Sequence, residues 1–363
     1  MIHKNYLFVS RGLRGGGAER FISIFTSYMA NKGYNVHLVL YDRTETDYQL
    51  SDKVVVHMMP DRNDNILGKI KRINDLTNII RNTKADYIIP FLEKVIVTSL
   101  LSSIPTRAKL IFTVRNSPWN AKKTELWSRV INRLAVRFSD AIMVQTEEQG
   151  EYYKEYRNKI FVVPNPVGEE FIEKKKSHYN KEFRNIVCVG RLVEQKNFSL
   201  AIEAIRRVKE EYPSIMLKIY GRGKLEDDLK QIISDNQLTD NCKLMGRVTD
   251  IARVHGESDL FLLSSSFEGM PNALLEAMAV GIPCLSSNCR TGPKDMIDDY
   301  YTGLLFEADN IESLTRCLKW ALNHPDEMNL MGINGRNAII EKYSLDNSLR
   351  CFLNMCERII RGK

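Results

Sequence analysis

Short apolar runs alternate with longer amphipathic stretches along the whole chain. Polar residues rarely interrupt the apolar runs, which is typical of parallel strands that are covered on both faces. The runs predict strands at residues 6–10, 35–40, 54–58, 87–90, 110–114, 141–145, 160–163, 186–189, 216–220, 243–245, 260–263 and 284–286. The amphipathic stretches predict helices at residues 18–32, 198–211, 225–235 and 272–280, and helical structure again from residue 309 to the end.

A break in the middle of the chain divides this pattern into two similar halves. Residues 164–168 (Pro-Asn-Pro-Val-Gly) and the Lys-rich residues 173–180 are typical of a linker. We therefore predict an α/β protein with two Rossmann-like, doubly wound parallel-sheet domains that face a central cleft. The domains would comprise residues 1–165 and 166–345, and a final helix at residues 346–363 would pack back towards the N-terminal domain.

Composition excludes several classes of protein. The 363 residues are 27% charged and 44% hydrophobic, as in a soluble globular protein. No apolar run is long enough to span a bilayer, and the first six residues are not typical of a signal peptide. The seven cysteines lack CxxC or Cys/His metal spacing, so we expect reduced thiols in a cytoplasmic protein.

Positive charge is concentrated in the first half of the chain. Residues 1–165 contain 25 Lys and Arg against 16 Asp and Glu, whereas the remaining residues contain 27 against 29. The first half is therefore predicted to face something anionic. We do not expect a nucleic acid, because the basic residues lack an aromatic stacking platform or a recognisable binding module.

A glycine-rich turn follows the first predicted strand. In SRGLRGGGAERF (residues 10–21), Gly15, Gly16 and Gly17 stand just before a helix. Glycines let backbone N–H groups approach a phosphate at the start of a helix. The spacing is not G-x-G-x-x-G and no acid ends the second strand, which argues against a nicotinamide cofactor. The alternative is a turn that is tight for packing alone.

A second strand–helix turn carries two cations. In VCVGRLVEQKNF (residues 187–198), Gly190 ends a strand, and Arg191, Lys196 and Asn197 come before the next helix. The planar fork of an Arg and the point charge of a Lys together suit a diphosphate. The alternative is a pair of solvated cations in an ordinary loop.

Two glutamates stand eight positions apart in SFEGMPNALLEAMAV (residues 266–280). Glu276 lies in an apolar run, where burial of an acid is costly. On one helix Glu268 and Glu276 would be roughly 12 Å apart, farther than the paired carboxylates of glycoside hydrolases, which are about 5–9.5 Å apart. We therefore predict that they hold groups at opposite ends of one long ligand. The alternatives are an ordinary helix that leaves Glu276 on a wet face, and a helix that is otherwise buried and has Glu276 as one polar position.

Together these stretches resemble the retaining glycosyltransferases of family 4, which have the GT-B fold. EGMPNALLE (residues 268–276) is similar to their E-x7-E element, and GGGAER (15–20), GRLVEQKN (190–197) and GRVTD (246–250) match in kind and order. The resemblance spans almost the whole chain. It implies transfer of a sugar from a nucleotide-sugar donor, a UDP-hexose or UDP-N-acetylhexosamine, to a saccharide acceptor. Such acceptors are commonly lipid-linked, in the assembly of cell-surface polysaccharides or glycans.

The resemblance also implies roles for individual residues. Arg191 and Lys196 would neutralise the donor diphosphate, and Glu268 would hold the donor-sugar hydroxyls and orient the transferring face. Glu276 would bind the ribose hydroxyls. The other donor-binding residues would be Gly16, Gly17, Arg115, Asn116, Gly190, Asn197, Arg247, Gly269, Met270, Pro271 and Asn272. Such enzymes need no metal or other cofactor, because Arg and Lys stabilise the leaving diphosphate.

The chain departs from the family pattern after its fifth strand. Many relatives have a histidine near the sugar at this point, whereas FTVRNSPW (residues 112–119) has Arg115 followed by Asn116. An Arg cannot act as a base at neutral pH, so Arg115 would offer only hydrogen bonds or charge. Retention by front-face attack is compatible with this change, because the departing phosphate takes the acceptor proton. CRTGPKDMI (residues 289–297) resembles the Gly-Pro form of relatives that transfer amino sugars.

A basic segment at residues 122–138 is a candidate membrane contact. Its cations are Lys122, Lys123, Arg129, Arg133 and Arg137, and its apolar residues include Trp127, Ile131, Leu134, Ala135 and Phe138. A helix of this composition can lie on an anionic leaflet at the cytoplasmic face of the membrane, where a lipid-linked acceptor would be anchored. The alternative is an ordinary sheet-covering helix with a solvated basic face.

Two other functions are compatible with the same architecture. A sugar-nucleotide epimerase would hydrolyse or epimerise the donor without an acceptor, and the arrangement of Arg191, Lys196 and the two glutamates argues against it. A non-catalytic nucleotide-sugar-binding protein would bind the donor without turnover. Loss of transfer in a folded Glu268→Ala protein would separate the enzyme from the binding protein.

Overall fold

A computed structural model describes residues 4–14, 16–42, 48–63, 65–91, 93–119 and 126–361 of the chain. The chain divides into two compact units. Unit 1 consists of Met1–Pro166 together with Leu345–Lys363, and unit 2 consists of Val167–Ser344. Lys122 and Lys123 of the predicted basic segment and Gly15 of the glycine-rich turn lie outside the described residues.

Unit 1 contains a seven-stranded sheet in which all neighbouring strands are parallel. Its strands are β1 (Asn5–Ser10), β2 (Asn35–Leu40), β3 (Val55–Met58), β4 (Tyr87–Pro90), β5 (Lys109–Thr113), β6 (Ala141–Val144) and β7 (Ile160–Val162). Their order is β3-β2-β1-β4-β5-β6-β7, so the winding reverses between β1 and β4. The helices of this unit are α1 (Gly17–Asn31), α2 (Ile66–Asn82), α3 (Glu93–Ser103), α4 (Leu126–Phe138), α5 (Glu147–Tyr152) and, from the end of the chain, α14 (Leu345–Arg361).

The sheet of unit 1 is buried on both faces, as the uninterrupted apolar strands predict. Phe8 of β1 packs with Phe25 of α1 and Phe352 of α14 on one face, whereas Leu7 packs against the α2 side on the other. The hydroxyl of Tyr87 donates to the carbonyl of Cys356 at 2.8 Å. The last helix of the chain is therefore part of the core of unit 1.

Unit 2 contains a six-stranded sheet, again with all neighbouring strands parallel. Its strands are β8 (Asn185–Val189), β9 (Met216–Tyr220), β10 (Cys242–Gly246), β11 (Leu260–Leu263), β12 (Cys284–Ser287) and β13 (Leu304–Phe306). Their order is β10-β9-β8-β11-β12-β13, so the winding reverses between β8 and β11. The helices are α6 (Glu169–Glu173), α7 (Phe198–Val208), α8 (Glu226–Asp235), α9 (Ile251–Glu257), α10 (Asn272–Val280), α11 (Pro293–Met296), α12 (Ile311–Asn323) and α13 (Pro325–Lys342).

Every predicted strand is present, and its bounds differ from the prediction by at most one residue at either end. No strand is predicted at β13, which is only three residues long, and the helix predicted at residues 198–211 extends three residues beyond the end of α7. The fold consists of two Rossmann-like parallel-sheet domains, as the alternation of strands and helices predicts.

The prediction of a polar linker at residues 173–180 is wrong. Lys176 is only 3% exposed; its backbone N–H donates to the carbonyl of Val280 at 2.8 Å, and its ammonium donates to the carbonyl of Ser258 at 2.6 Å. Burial lowers the pKa of this ammonium. Because backbone carbonyls of unit 2 satisfy its donors, this Lys-rich segment packs onto the domain instead of extending into solvent.

Candidate active site

The loops that leave β8 and β11 form the centre of the candidate site in unit 2. These strands flank the point where the winding reverses, and open α/β sheets bind ligands beside the carboxyl ends of the strands at such a point. The loop after β8 carries Gly190, Arg191 and Lys196, and the loop after β11 carries Glu268. The fold therefore brings the cationic turn and the first glutamate to one place.

Lys196 and Glu268 form a short ion pair in this place. The ammonium nitrogen lies 2.6 Å from Oε1 of Glu268, and the two side chains are 15% and 7% exposed. Gln195 donates from Nε2 to the other carboxylate oxygen at 3.4 Å and to the carbonyl of Phe267 at 2.9 Å. Both oxygens of the Glu268 carboxylate therefore accept a hydrogen bond from the loop after β8.

The local backbone fixes the position of Lys196. A single 3₁₀ turn, Glu194–Lys196, is followed by Asn197 in the left-handed region at φ 45°, and α7 begins at the next residue. The Ser264 hydroxyl donates to the carbonyl of Lys196 at 2.8 Å, and the Ser266 N–H donates to the carbonyl of Gln195 at 2.9 Å. The loop after β11 thus holds the turn in place.

Close approaches surround three glycines at the turn, to the Lys196 side chain at Gly190 and to backbone at Gly221 and Gly223. A Cβ on Gly190 would lie 3.1 Å from Cε of Lys196. A Cβ on Gly221 would lie 1.8 Å from the carbonyl oxygen of Gly190, and one on Gly223 would lie 2.3 Å from that of Leu192. The loop after β9 therefore packs directly on the loop after β8.

The segment after β12 supports the Glu268 loop from the other side. The Thr291 hydroxyl donates to the carbonyl of Glu268. Gly292 has φ 93°, and a Cβ there would lie 2.6 Å from both the Gly269 carbonyl oxygen and Cδ of Pro271. Only a glycine fits both this backbone angle and this approach. The Gly-Pro stretch of the sequence therefore has a structural role beside Glu268.

Cys289 stands at the start of the same segment and is buried. Burial raises the pKa of its thiol to about 12, and the negative charge of Glu268 contributes to the shift. The thiol is therefore neutral at physiological pH and is not an activated nucleophile.

Helix α10 carries the second glutamate into the interior. Pro271 precedes the helix, and all residues from Leu274 to Val280 are buried. Glu276 is 6% exposed. The alternative of an ordinary helix with Glu276 on a wet face is therefore wrong, because α10 has no solvated face beyond its first turn.

The other predicted residues of unit 2 have different environments. Arg191 is exposed, and its side chain makes no hydrogen bond or ion pair with any residue that the structure describes. The Asn197 amide donates to Asp309 at 2.9 Å and accepts from the Ser199 hydroxyl at 3.0 Å, so its side chain holds the loop. Arg247 is exposed and follows β10, which is separated from β8 by one strand.

Some residues that shape this site were missed from the sequence. Gln195 and Thr291 contact Glu268, and Asp309 accepts hydrogen bonds from Asn197 and, at 2.5 Å, from the Ser266 hydroxyl. The sequence could have indicated Gln195, because it directly precedes Lys196 in the cationic turn. Thr291 lies in the Gly-Pro stretch at residues 289–297, but its contact and those of Asp309 depend on which strands become neighbours, and no local pattern predicts them.

Unit 1 holds the remaining predicted residues: Gly16, Gly17, Arg115 and Asn116. Gly16 precedes α1, and a Cβ there would lie 2.0 Å from a carboxylate oxygen of Glu19. Asn116 accepts from the Ser117 N–H at 2.8 Å. An acid already stands at the start of α1, where an anionic ligand was predicted.

Arg115 follows β5 and stacks on aromatic rings. Its guanidinium carbon lies 3.9 Å from the ring centre of Phe21 and 4.7 Å from that of Phe91. One terminal nitrogen donates to Oδ1 of Asn165 at 3.0 Å, and Gln145 donates to the same oxygen at 2.8 Å. Burial lowers the pKa of the guanidinium to about 9, so it still carries its charge at neutral pH.

A cavity of about 410 Å³ lies elsewhere in unit 1. None of the predicted site residues lines it. Its walls come from α5, β7, α14 and the residues between α5 and β7: Glu147, Gly150, Glu151, Lys154, Arg157, Ile160, Phe161, Val162, Cys351, Asn354, Met355 and Arg358. We therefore do not assign the predicted chemistry to this cavity.

The part of the chain that the structure describes has neither a metal-binding cluster nor a membrane-spanning helix. No cluster of three His, Cys, Asp or Glu side chains among the described residues is placed to hold a metal ion. No helix in the same part of the chain has the length and apolar character needed to cross a bilayer.

Two family models match consecutive parts of the chain. "Glycosyltransferase Family 4" matches residues 15–171, and "Glycosyl transferases group 1" matches residues 169–338. An uncharacterized glycosyltransferase of Methanocaldococcus jannaschii is 30% identical over 250 residues, which is 63% of this chain and 62% of that protein, less than two thirds of its length.

Two further comparisons cover most of the chain. A Campylobacter jejuni enzyme is 26% identical over 326 residues, 87% of this chain and 88% of that protein. Its name is GalNAc-alpha-(1->4)-GalNAc-alpha-(1->3)-diNAcBac-PP-undecaprenol alpha-1,4-N-acetyl-D-galactosaminyltransferase. The crystal structure of Anabaena HepE in complex with UDP-glucose superposes with a TM-score of 0.81 at 15% identity, covering 99% of this chain and 100% of HepE. This chain is therefore a glycosyltransferase of family 4 type with the GT-B fold.

Proposed function

We propose that the protein transfers a sugar from a UDP-sugar to a saccharide acceptor, with retention of configuration and without a metal ion. The observation that carries this proposal is the ion pair of Lys196 and Glu268 at the winding reversal of unit 2, beside the exposed Arg191. The UDP-glucose complex of HepE and the name of the Campylobacter enzyme support a UDP-hexose or a UDP-N-acetylhexosamine as donor.

The two cations are assigned to the donor diphosphate. When the donor binds, Lys196 exchanges its contact with Glu268 for the diphosphate, whose charge is larger than that of one carboxylate. Arg191 supplies a second cation with a planar fork of donors. Together they stabilise the charge that develops on the leaving diphosphate, which is the contribution that a divalent metal makes in other phosphate chemistry.

Glu268 is assigned to the donor sugar. Once Lys196 has turned to the diphosphate, one carboxylate oxygen is available to sugar hydroxyls while Gln195 still holds the other. The bond from the anomeric carbon to the diphosphate breaks, and the acceptor oxygen bonds to that carbon on the same face. The acceptor proton passes to the departing phosphate oxygen, so no protein base is needed.

Glu276 is assigned to the ribose. A carboxylate can accept hydrogen bonds from two neighbouring hydroxyls, and Glu276 places one inside an otherwise apolar helix. The backbone of Gly190 and of residues 269–272 is assigned to the sugar and the phosphates, as the resemblance to the family implies. Gly16, Gly17 and Asn116 of unit 1 remain predicted donor contacts.

The acceptor is proposed to be a lipid-linked saccharide at the cytoplasmic face of the membrane. The Campylobacter enzyme is named for an undecaprenol-linked saccharide. The seven free cysteines, six of them buried, are consistent with a reducing compartment. We assign membrane contact to α4, on which Val130, Leu134 and Phe138 are 44%, 44% and 64% exposed beside exposed Arg133 and Arg137.

Donor binding and transfer are measured separately to test the proposal. We expect UDP to raise the melting temperature of the protein, unchanged by EDTA. With the matching UDP-sugar and a lipid-linked acceptor, Glu268→Gln is expected to lower kcat by a factor of about 10² to 10³ while the protein stays folded. Lys196→Met is expected to abolish most of the protection by UDP.

A second lysine provides the matched control. Lys224 forms an exposed ion pair with Glu194 at 2.8 Å, in which the side chains are 65% and 80% exposed. Lys224→Met should therefore leave both UDP protection and transfer near the wild-type level. Loss of UDP binding on metal chelation, or donor turnover that needs no acceptor and survives in Glu268→Gln, would contradict the proposal.

A further inference from the structure

Arg115 is a largely buried cation that has no ion pair with an acid in the part of unit 1 that the structure describes. It makes no ion pair with any described residue, and its Nε is fully buried without a hydrogen-bond partner. Its hydrogen-bonding neighbours are the neutral Asn165 and, weakly, the sulfur of Met143 at 3.9 Å. Desolvating a charge without a compensating charge costs free energy, so this arrangement calls for a functional reason.

The surrounding polar cluster does not supply the missing charge. Asn165 also accepts from Gln145, and Gln145 and Gln149 bond to each other through side chain and backbone at 2.7 and 3.3 Å. All three side chains are buried amides without charge. The cluster therefore fixes the orientation of the guanidinium but leaves its positive charge for a partner from outside.

The guanidinium lies where an open sheet binds ligands. Phe21, one of its stacking partners, is in α1 directly after β1, and Phe91, the other, directly follows β4. The winding of unit 1 reverses between these two strands. Arg115 itself follows the neighbouring strand β5, so the cation stands at the carboxyl edge of the sheet beside the reversal point.

We propose that Arg115 binds an oxyanion of the acceptor, a carboxylate or a phosphate, and so selects anionic acceptors for the transfer. This inference rests on the proposed function, and it moves Arg115 from the donor contacts that the family resemblance implies to the acceptor. The acceptor is the favoured source because the donor diphosphate already has Lys196 and Arg191 in unit 2, whereas the first 165 residues carry the basic excess of the chain. Two aromatic rings stack on the guanidinium and Asn165 accepts from one terminal nitrogen, so the recognition element is the remaining terminal N–H donors.

Melting temperatures of the ligand-free protein separate this role from a structural one. Arg115→Gln removes an uncompensated charge, so its melting temperature should equal or exceed that of the wild type. Arg62 is the control, because it makes a two-pronged ion pair with Asp75 at 3.0 and 3.3 Å; Arg62→Gln should lower the melting temperature. A clear loss of stability in Arg115→Gln would assign the residue to the architecture and overturn the proposal.

Ligand protection then identifies the source of the anion. Methyl α-D-glucuronide and α-D-glucose 1-phosphate are compared with neutral methyl α-D-glucoside, and UDP is measured in parallel. At least one anionic sugar should protect the wild type more than the neutral sugar does. Arg115→Gln should weaken that binding by about 30-fold or more, and Arg115→Lys should restore part of it. Protection by UDP should persist in both variants.

The remaining outcomes are decisive against the proposal. Equal protection by anionic and neutral sugars would show that no oxyanion site exists. Equal loss of UDP and anionic-sugar protection in Arg115→Gln would assign Arg115 to the donor. If UDP fails to protect the wild type while the anionic sugar protects it through Arg115, the donor assignment in unit 2 fails and the oxyanion site stands.

Discussion

The carboxylate of Glu268 accepts hydrogen bonds from two side chains, Lys196 and Gln195. Its counterion Lys196 comes from the loop after β8, so the two largely buried charges compensate each other. Only one of these contacts is expected to change on binding. Gln195 therefore has a positioning role, since it would keep the carboxylate in place while Lys196 moves to the diphosphate.

Replacing Gln195 tests this positioning role. Gln195→Ala removes the hydrogen bonds to Glu268 and to the Phe267 carbonyl, and we expect kcat to fall by about tenfold with a smaller change in the donor KM. The kcat of Gln195→Glu should be lower still, because this variant places a second carboxylate against Glu268. Gln231, an exposed glutamine that bonds to Asp235 at 2.6 Å, gives the control Gln231→Ala. A proportional rise in KM with unchanged kcat would contradict the positioning role.

A pair of histidines predicts a pH-dependent stability. Nδ1 of His37 on β2 lies 3.0 Å from Nε2 of His57 on β3, and burial lowers the pKa of both rings below 6.5. The unfolded chain then binds more protons than the folded protein near this pH, so stability is full above pH 6.5 and falls as the pH drops below it.

The melting temperature between pH 5 and pH 8 should follow this dependence. His57→Asn removes one titrating ring, and its melting temperature should vary less with pH than that of the wild type. The exposed His178 provides the control, since His178→Asn should keep the wild-type slope. Parallel curves for the wild type and His57→Asn would contradict this account.

At the scale of elements, the segment between β12 and α11 supports the Glu268 loop. Gly292→Ala places a Cβ 2.6 Å from the Gly269 carbonyl at φ 93°, so we expect a loss of about 1–3 kcal/mol in the free energy of unfolding, with weaker UDP protection. Gly246 also has positive φ, 69°, but no atom lies within 4 Å of its would-be Cβ. Gly246→Ala should therefore cost less, and equal costs would show that strain alone, without displacement of the loop, explains the effect.

The exposed face of α4 gives a test of membrane contact. Replacing Leu134 and Phe138 together with Gln should reduce cosedimentation with vesicles of anionic lipids, and replacing Arg133 and Arg137 with Gln should remove its salt dependence. The control is Leu330→Gln with Ile333→Gln on α13 of unit 2, where the side chains are 58% and 40% exposed. An equal loss for the α13 variant would mean that general surface hydrophobicity, and no specific helix, drives the binding.

At the scale of the whole molecule, the sequence predicts the architecture better than the support of the site. Uninterrupted apolar strands and glycine-bounded helices are local signals, so both parallel sheets and α10 follow from them. The contacts of Thr291 with Glu268, and of Lys176 with Ser258, join residues 23 and 82 positions apart. Such contacts exist only once the strand order is set, and no local pattern encodes them.

The charge of the molecule matches the division of its chemistry. The basic first half contains Arg115 and α4, which we assign to the acceptor and to the membrane, whereas unit 2 contains the cations and acids that we assign to the donor. The two family models identify the chain as a glycosyltransferase. The residue assignments depend on where the donor diphosphate binds.

A crystal structure of the protein with its UDP-sugar tests that point most directly. We predict diphosphate oxygens within hydrogen-bonding distance of Lys196 and Arg191. We also predict sugar hydroxyls on Glu268, ribose hydroxyls on Glu276, and a Lys196–Glu268 separation well beyond the 2.6 Å of the ion pair. A diphosphate bound away from the loop after β8, or an unbroken ion pair beside the bound donor, would contradict it.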